Sequence, residues 1–368
     1  MKSVALVFGT RPEAIKMCPL IKELETRGRF RVVTVVSGQH RELLDGVLKN
    51  FEVTPDYDLA LMREGQDQQT IVRAILKGFS EVLKAESPDA VLVHGDTTTT
   101  FAAALCCFYL GIPLGHVEAG LRTYDMTSPF PEEFNRQATG LLARYHFAPT
   151  QDAVENLLRE GKPKNRIFVT GNTGIDALRY TVKKAYTSPF LDWARDGRLI
   201  LLTTHRRENI GEPMRQMLMA IRQAAKERKD ARILIPVHPN PLVKSVVTEV
   251  FDGCENVWVC APLDVVDFHN IMARAHMIVT DSGGVQEEAA ALCVPTVVLR
   301  CRTERPEGVK TGILHLAGTS FEGVYKNFCN LYDSPLLRAS AKQAANPYGD
   351  GYASARIADI LERELEPR

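Results

Sequence analysis

The feature that most limits how this chain can fold is a regular exchange of short apolar runs for longer amphipathic ones. It begins within the first ten residues and continues past residue 290. Residues 4–8, 31–37, 90–94, 113–118, 145–148 and 166–169 read as strands, short and rich in Val, Leu and Phe. Between them, 13–26, 42–51, 68–84, 98–110, 133–142 and 152–160 carry the three-to-four-residue apolar period of helices with one buried face. Strands separated by such crossovers pair in parallel, with helices covering both faces of the sheet. The pattern weakens over 176–198, where a polar helix is followed by Ser188-Pro189 and Asp196-Gly197, the expected linker. It resumes at 199–203, 232–237, 257–259, 277–280 and 296–299. At 368 residues the chain exceeds one core of ordinary size. The expectation is an α/β protein of two doubly wound, Rossmann-like domains, 1–172 and 173–351, with an amphipathic helix at 352–366 returning to the first. Ligands of such sheets bind outside the carboxyl ends of strands, so the two domains are expected to face a cleft.

Polar residues succeed each strand, and there the chemistry is expected. Gly9-Thr10-Arg11-Pro12-Glu13-Ala14-Ile15-Lys16 comes after the first, with Gly9 clearing space and Arg11 and Lys16 offering positive charge. The second leads into Ser37-Gly38-Gln39-His40-Arg41. The third ends in His94-Gly95-Asp96-Thr97-Thr98, whose threonines suit a helix cap while Asp96 faces the ligand. The fourth runs into His116-Val117-Glu118-Ala119-Gly120-Leu121-Arg122, with Pro129-Phe130-Pro131-Glu132-Glu133 beyond. Asp96, Glu118 and Glu132 thus come to one rim. Singly each has a structural explanation: a cap, a partner of Arg122 or Arg136, a first-turn acid favoured by the helix dipole. Gathered in one place they are expected to raise one another's pKa, which is how carboxyl groups come to exchange protons near neutrality.

The second domain supplies the complementary charge. Thr280-Asp281-Ser282-Gly283-Gly284-Val285-Gln286-Glu287-Glu288 reads as strand, glycine turn and helix. Unpaired N–H groups opening such a helix attract an anion, Gly283 and Gly284 permit close approach, and Ser282 adds a hydroxyl. Glu288, one turn on, suits the hydroxyls of a ribose. The same residues also make an ordinary helix start. His205-Arg206-Arg207-Glu208, Val237-His238-Pro239 and Arg302-Thr303-Glu304-Arg305-Pro306 lie after other strands. His205 and His238 read as ligand-facing or structural, and Phe268 as a core ring or a platform for a base. A diphosphate held by one domain, with acids of the other acting on what is attached, describes a nucleotide sugar.

Several classes are disfavoured. Formal net charge is zero and no basic run occurs, which argues against nucleic-acid and anionic-membrane binding. No leader-like segment precedes the first strand and no span of about 20 apolar residues occurs, so a cytoplasmic location is expected. Eight cysteines are scattered without a Cys-x-x-Cys pair. They read as reduced core residues rather than disulfides or metal ligands. The chain has neither a Gly-x-Gly-x-x-Gly fingerprint nor a Gly-x-x-x-x-Gly-Lys-[Ser/Thr] loop, so no nicotinamide or ATP cofactor is expected.

The motifs Gly9-Thr10-Arg11-Pro12-Glu13-Ala14-Ile15-Lys16, His94-Gly95-Asp96-Thr97-Thr98-Thr99, His116-Val117-Glu118-Ala119-Gly120-Leu121-Arg122, Pro129-Phe130-Pro131-Glu132-Glu133, His205-Arg206-Arg207-Glu208, Thr280-Asp281-Ser282-Gly283-Gly284 and Thr303-Glu304-Arg305-Pro306-Glu307 stand in this order. Together they resemble the non-hydrolysing UDP-N-acetylglucosamine 2-epimerases of bacteria over nearly the whole chain. The resemblance implies a GT-B architecture, usually dimeric, and interconversion of UDP-GlcNAc and UDP-ManNAc without added metal or redox cofactor. It implies elimination of UDP to 2-acetamidoglucal and re-addition, supplying N-acetylmannosamine for cell-surface polysaccharides. By motif position, Asp96, Glu118 and Glu132 are its acid–base residues, their order unassigned. His205 would bind or protonate the diphosphate, with Arg11, Lys16 and Arg305 neutralising it. Ser282, Gly283 and Gly284 would hold phosphate oxygens, Glu288 the ribose and Phe268 the uracil. A second UDP-GlcNAc as allosteric effector is implied around Gln39, His40, Arg41, Gln66, Arg206 and His238, with Gly65 standing where some relatives carry Arg. The neighbouring readings are a hydrolysing epimerase, which would release free sugar, and a GT-B glycosyltransferase, which would need an acceptor.

Overall fold

The structure is a computed structural model that describes residues 1–38, 41–61, 66–303 and 305–366, with the backbone alone at 41–43, 68 and 207. Two compact units emerge: Met1–Tyr180 with Tyr348–Arg368, and Thr181–Pro347.

The first unit is built on strands β1 (Lys2–Phe8), β2 (Phe30–Val36), β3 (Tyr57–Asp58), β4 (Ala90–His94), β5 (Leu114–Val117), β6 (Tyr145–Ala148) and β7 (Ile167–Val169). They form one sheet in the order β3-β2-β1-β4-β5-β6-β7. All pairs are parallel, with Val4 of β1 between Val32 of β2 and Ala90 of β4. Helices cover both faces, so the central strands can be apolar at every position, and Val4 to Phe8 and Val91 to Val93 are fully buried. The first helix, Arg11–Arg27, is bounded by chemistry legible in its sequence. Thr10 and Glu13 form a reciprocal capping box, and Gly28 closes the helix at a φ of 62°.

The helix Ala353–Leu365 closes this unit. Arg27 Nη1 lies 2.5 Å from Asp359 and 3.2 Å from Glu362. Buried Asp176 accepts the backbone N–H groups of Ala353 and Ser354, at 3.1 and 2.7 Å. That pair of bonds holds the helix Thr173–Thr181 against the first unit, whereas a division at residue 172 assigns it to the second.

The second unit contains β8 (Arg198–Thr203), β9 (Ala231–Pro236), β10 (Val257–Cys260), β11 (Met277–Thr280), β12 (Thr296–Val298) and β13 (Leu314–Leu316), in the order β10-β9-β8-β11-β12-β13 and parallel throughout. The boundary between the two units, Tyr180 to Thr181, falls inside residues 176–198. Within them the helix Pro189–Trp193 sets Phe190 and Trp193 against Trp258, with ring centroids 4.9 and 5.6 Å apart. Sequence reading also missed β3 and β13. These are edge strands of two and three residues, too short to show a period.

Both sheets therefore have the doubly wound α/β form. In each, the strand order changes direction once, between β1 and β4 and between β8 and β11. A crevice opens at the carboxyl ends of such strand pairs, because the helices that come after them leave on opposite faces. All eight cysteines lie among the described residues and are free thiols. Burial pushes Cys18 up to about 12 and Cys106 to about 11, which leaves both inert as nucleophiles. Among the described residues no helix is long and apolar enough to cross a membrane.

Candidate active site

The predicted residues of the first unit gather where β1, β4 and β5 end. After β1, a Cβ on Gly9 would sit 2.0 Å from Ser37 Oγ and 2.7 Å from Thr99 Oγ1, so only glycine fits. Glu13 then joins two turns. Its buried carboxylate accepts from Gly9 N (3.0 Å), Thr10 N (2.8 Å) and Thr10 Oγ1 (2.8 Å) on one side. On the other it accepts from Thr97 Oγ1 (2.7 Å) and Thr100 Oγ1 (3.1 Å), just beyond β4. Burial pushes the Glu13 carboxyl above its ordinary range in spite of these bonds. Thr97 caps the helix Thr98–Leu110 through Thr100 N at 3.1 Å, so Asp96 is not spent on a cap.

Asp96 is half-buried, and its carboxylate lies 2.7 Å from Arg136 Nη2. Burial raises its pKa first of all; Arg136 opposes this, and the charges of Glu118 and Glu132 add to it. Both neighbouring acids thus act electrostatically on Asp96. Glu118 comes directly after β5 at a φ of 63°, a left-handed conformation that costs about 1 kcal/mol or more for a residue other than glycine. Its carboxylate is ion-paired to Lys16 Nζ, accepts Asn172 Nδ2 at 3.0 Å and lies 3.7 Å from His94 Nε2.

This arrangement alters two sequence readings. Lys16, expected to neutralise a diphosphate, is 8 % exposed and its ammonium is engaged with Glu118. The arginines considered as Glu118 partners are engaged elsewhere: Arg122 with Glu160 at 2.6 Å, Arg136 with Asp96. Of the adjacent glutamates opening the helix Glu132–Leu142, Glu133 is fully buried and accepts the N–H groups of Thr123 (3.0 Å) and Tyr124 (3.1 Å). Glu132 remains half-buried, and Arg11 is half-buried at the first position of its helix.

The second unit presents its predicted residues at the ends of β8 and β11. Ser282 is the N-cap of the helix Gly283–Ala291 but forms no cap bond through its side chain. A Cβ on Gly283 would lie 2.7 Å from Arg305 Nη1, so the guanidinium rests against the turn itself. Arg305 Nε is also 2.7 Å from buried Glu287, which the sequence did not single out as its partner. At Gly284 a Cβ would meet open space beyond its own helix and chain neighbours. Glu288 is 9 % exposed and 3.6 Å from His269 Nε2. Phe268 is half-buried against the apolar cluster that includes Leu199, Leu201 and Ile271.

His205 lies beside the glycine turn, its Nδ1 3.1 Å from Asp281 Oδ1, and its ring stacks on exposed His238 at 5.7 Å between centroids. Arg206 donates through Nε to the Asp281 carbonyl at 3.3 Å. Gln66 donates to the Leu61 carbonyl at 3.3 Å, in the first unit. Gln39, His40, Gly65 and Glu304 lie outside the described residues, as does the side chain of Arg41, whose backbone opens the helix Arg41–Asn50. Sequence reasoning assigned no role to Asp281, Asn172 or His94. Asp281 and His94 stand inside motifs that bear chemistry, whereas Asn172 carries no signal at all in the sequence.

Two doubly wound parallel sheets, each with polar side chains collected at its reversal point, define an α/β enzyme of the GT-B kind. A family model described as UDP-N-acetylglucosamine 2-epimerase matches residues 22–362. The chain is 52 % identical over 358 residues to the UDP-N-acetylglucosamine 2-epimerase of Bacillus subtilis (strain 168), covering 97 % of this chain and 94 % of that protein. It is similar to S. aureus MnaA in a co-structure with UDP, at 48 % identity and a TM-score of 0.94, over 99 % of this chain and 97 % of that one. A UDP-GlcNAc 2-epimerase from Neisseria meningitidis, bound to UDP-GlcNAc, is 42 % identical with a TM-score of 0.93, over 99 % of this chain and 100 % of that one. The chain belongs to the bacterial, non-hydrolysing UDP-N-acetylglucosamine 2-epimerase family and is an isomerase of that class.

Proposed function

We propose that this epimerase interconverts UDP-GlcNAc and UDP-ManNAc by eliminating UDP across C-1 and C-2 of the sugar, giving 2-acetamidoglucal, and adding UDP back with the proton delivered to the other face of C-2. The observation that carries this reading is the trio of acids after β4, after β5 and at the start of Glu132–Leu142, with Asp96 raised partly by the charges of the other two. The C-2 proton is not acidic, so breakage of the C-1–oxygen bond runs ahead of its removal. Fixed charges must then stabilise both a cationic sugar and a departing diphosphate.

Asp96, Glu118 and Glu132 are the acid–base residues. Lys16 serves the diphosphate less than it serves Glu118, keeping that carboxylate charged until it takes a proton. Arg11 and Arg305 neutralise the diphosphate, Ser282 with Gly283 and Gly284 holds its oxygens, and Glu288 holds the ribose. Phe268 borders the uracil, and His205 protonates the leaving group. A second UDP-GlcNAc acts as effector through Gln39, His40, Arg41, Gln66, Arg206 and His238. The protein works in the cytoplasm as a homodimer, supplying N-acetylmannosamine units for cell-surface polysaccharide. Exposed Phe108, Tyr109, Phe134 and Leu141, from 48 to 75 % exposed on the helices Thr98–Leu110 and Glu132–Leu142, support the dimer.

The deciding experiment is incubation of UDP-GlcNAc with the enzyme in deuterated water, then NMR. Deuterium at C-2, UDP-ManNAc and retained UDP linkage are expected; release of free N-acetylmannosamine would point to the hydrolysing reaction instead. His205→Asn should lower turnover by about 10²- to 10⁴-fold. Initial rates on UDP-ManNAc with trace UDP-GlcNAc test the effector, and the solution mass tests the dimer.

A further inference from the structure

Asp281 is fully buried at the end of β11, yet its carboxylate collects hydrogen bonds from the segment just beyond β8. Thr204 Oγ1 donates to it at 2.8 Å, and the backbone N–H of His205 lies 3.1 and 3.0 Å from its two oxygens. Arg206 N donates at 3.0 Å and Asn209 Nδ2 at 3.4 Å. Burial pushes this carboxyl up, but the bonds from His205, Arg206 and Thr204 outweigh it and hold the group below its ordinary range. A charged carboxylate can only accept. His205 Nδ1, 3.1 Å from Oδ1, must therefore carry a hydrogen and donate it. The neutral ring then has its lone pair on Nε2, and the charged ring has its second N–H there.

We propose that Asp281 is a positioning residue for the epimerase reaction, holding the His205 imidazole by Nδ1 and so reserving Nε2 for the diphosphate oxygen of the leaving nucleotide. The proposal rests on the reading of His205 as the partner of that diphosphate. When the C-1–oxygen bond breaks, its electron pair passes to the diphosphate oxygen, which takes the proton from Nε2 of the imidazolium. The C-2 proton goes to a carboxylate of the first unit, and its bonding pair forms the C-1=C-2 double bond. The ring is left neutral with Nδ1 still protonated. On re-addition Nε2 recovers its proton, so one side chain serves both directions without changing tautomer. The stacked His238 ring blocks one face of His205 and restricts its rotation.

The test uses the whole enzyme labelled with ¹⁵N-histidine, the His205 signals being assigned by their loss in His205→Asn. In the wild-type protein the neutral His205 ring is expected as the Nδ1–H tautomer, with the pyridine-like shift on Nε2. Asp281→Asn is expected to shift the ring toward the Nε2–H tautomer and to lower kcat on the order of 10³-fold, with UDP affinity within about threefold of wild type. A neutral wild-type ring found as Nε2–H would overturn the proposal, and that measurement does not depend on the variant folding. So would an Asp281→Asn enzyme with unchanged kcat, or one whose UDP affinity falls as far as its kcat. If His205→Asn leaves turnover untouched, the fault lies in the reading of His205. If His205→Asn is slow and Asp281→Asn is not, the fault lies in the role given to Asp281.

Discussion

Lys16 is a side chain whose sequence context and whose neighbour in the fold point to different roles. Its place in the second turn of a helix that opens with Arg11 suggested a cation for phosphate. Its ammonium instead meets Glu118, and both side chains are about 10 % exposed. Removing one member of a buried pair leaves the other charged and uncompensated, which costs about 3–5 kcal/mol. Lys16→Met is therefore expected to lose about that much stability in urea unfolding and to lose most of its kcat, while calorimetry finds UDP bound nearly as tightly as by wild type. A charged hydrogen bond to phosphate is worth about 1.5–3 kcal/mol. An affinity for UDP reduced on the order of 10- to 100-fold would return Lys16 to the diphosphate. The pairing was not legible because residues 16 and 118 are joined only through the register of β1, β4 and β5.

At the scale of elements, the informative unit is a turn with its helix start. The capping box of Arg11–Arg27 was written in the sequence as Thr10 and Glu13, three residues apart. That the same carboxylate also collects Thr97 and Thr100 was not, because those hydroxyls arrive from another βα turn. Glu13→Gln keeps the shape but replaces one acceptor oxygen by a donor amide, so several of these donors lose their partner. We expect a loss of about 1–3 kcal/mol in stability. We also expect a fall in kcat, read in the coupled UDP-ManNAc assay, because the turn carrying Asp96 is no longer tied to the turn carrying Arg11. Unchanged kcat beside reduced stability would mean that the tie supports the fold alone. The same limit explains the second unit, where Asp281 stands inside a legible motif but acquires meaning only from residues more than seventy positions earlier.

At the scale of the whole molecule, three buried histidines on neighbouring strands contribute a pH dependence to folding. His94, His116 and His146 are 4, 0 and 1 % exposed. Burial is the largest cause lowering each of them, from 6.5 to about 4, about 3 and about 4. Between about pH 6.5 and 4 the unfolded chain takes up protons on these rings that the folded chain refuses. Stability therefore falls as pH falls, by up to about 1.4 kcal/mol per pH unit for each ring. Urea midpoints at pH 7.5, 6.5 and 5.0 should be nearly level over the first interval and drop clearly over the second. A midpoint that held steady down to pH 5.0 would show that the rings protonate within the fold.

The α/β class, the parallel sheets and the polar segments after each strand are all legible in the amino-acid sequence. Each of these depends on residues close along the chain: apolar period, turn glycines, capping pairs and the polar run after each strand. The sequence also settled the family, through motifs in a characteristic order. Which charge meets which was fixed by the fold. Lys16 came to Glu118, Glu133 to the Thr123 and Tyr124 amides, Arg305 to Glu287, and Asp281 to His205. Such pairings depend on strand register and on the direction each turn takes, and both are fixed by long-range packing rather than by neighbours in sequence.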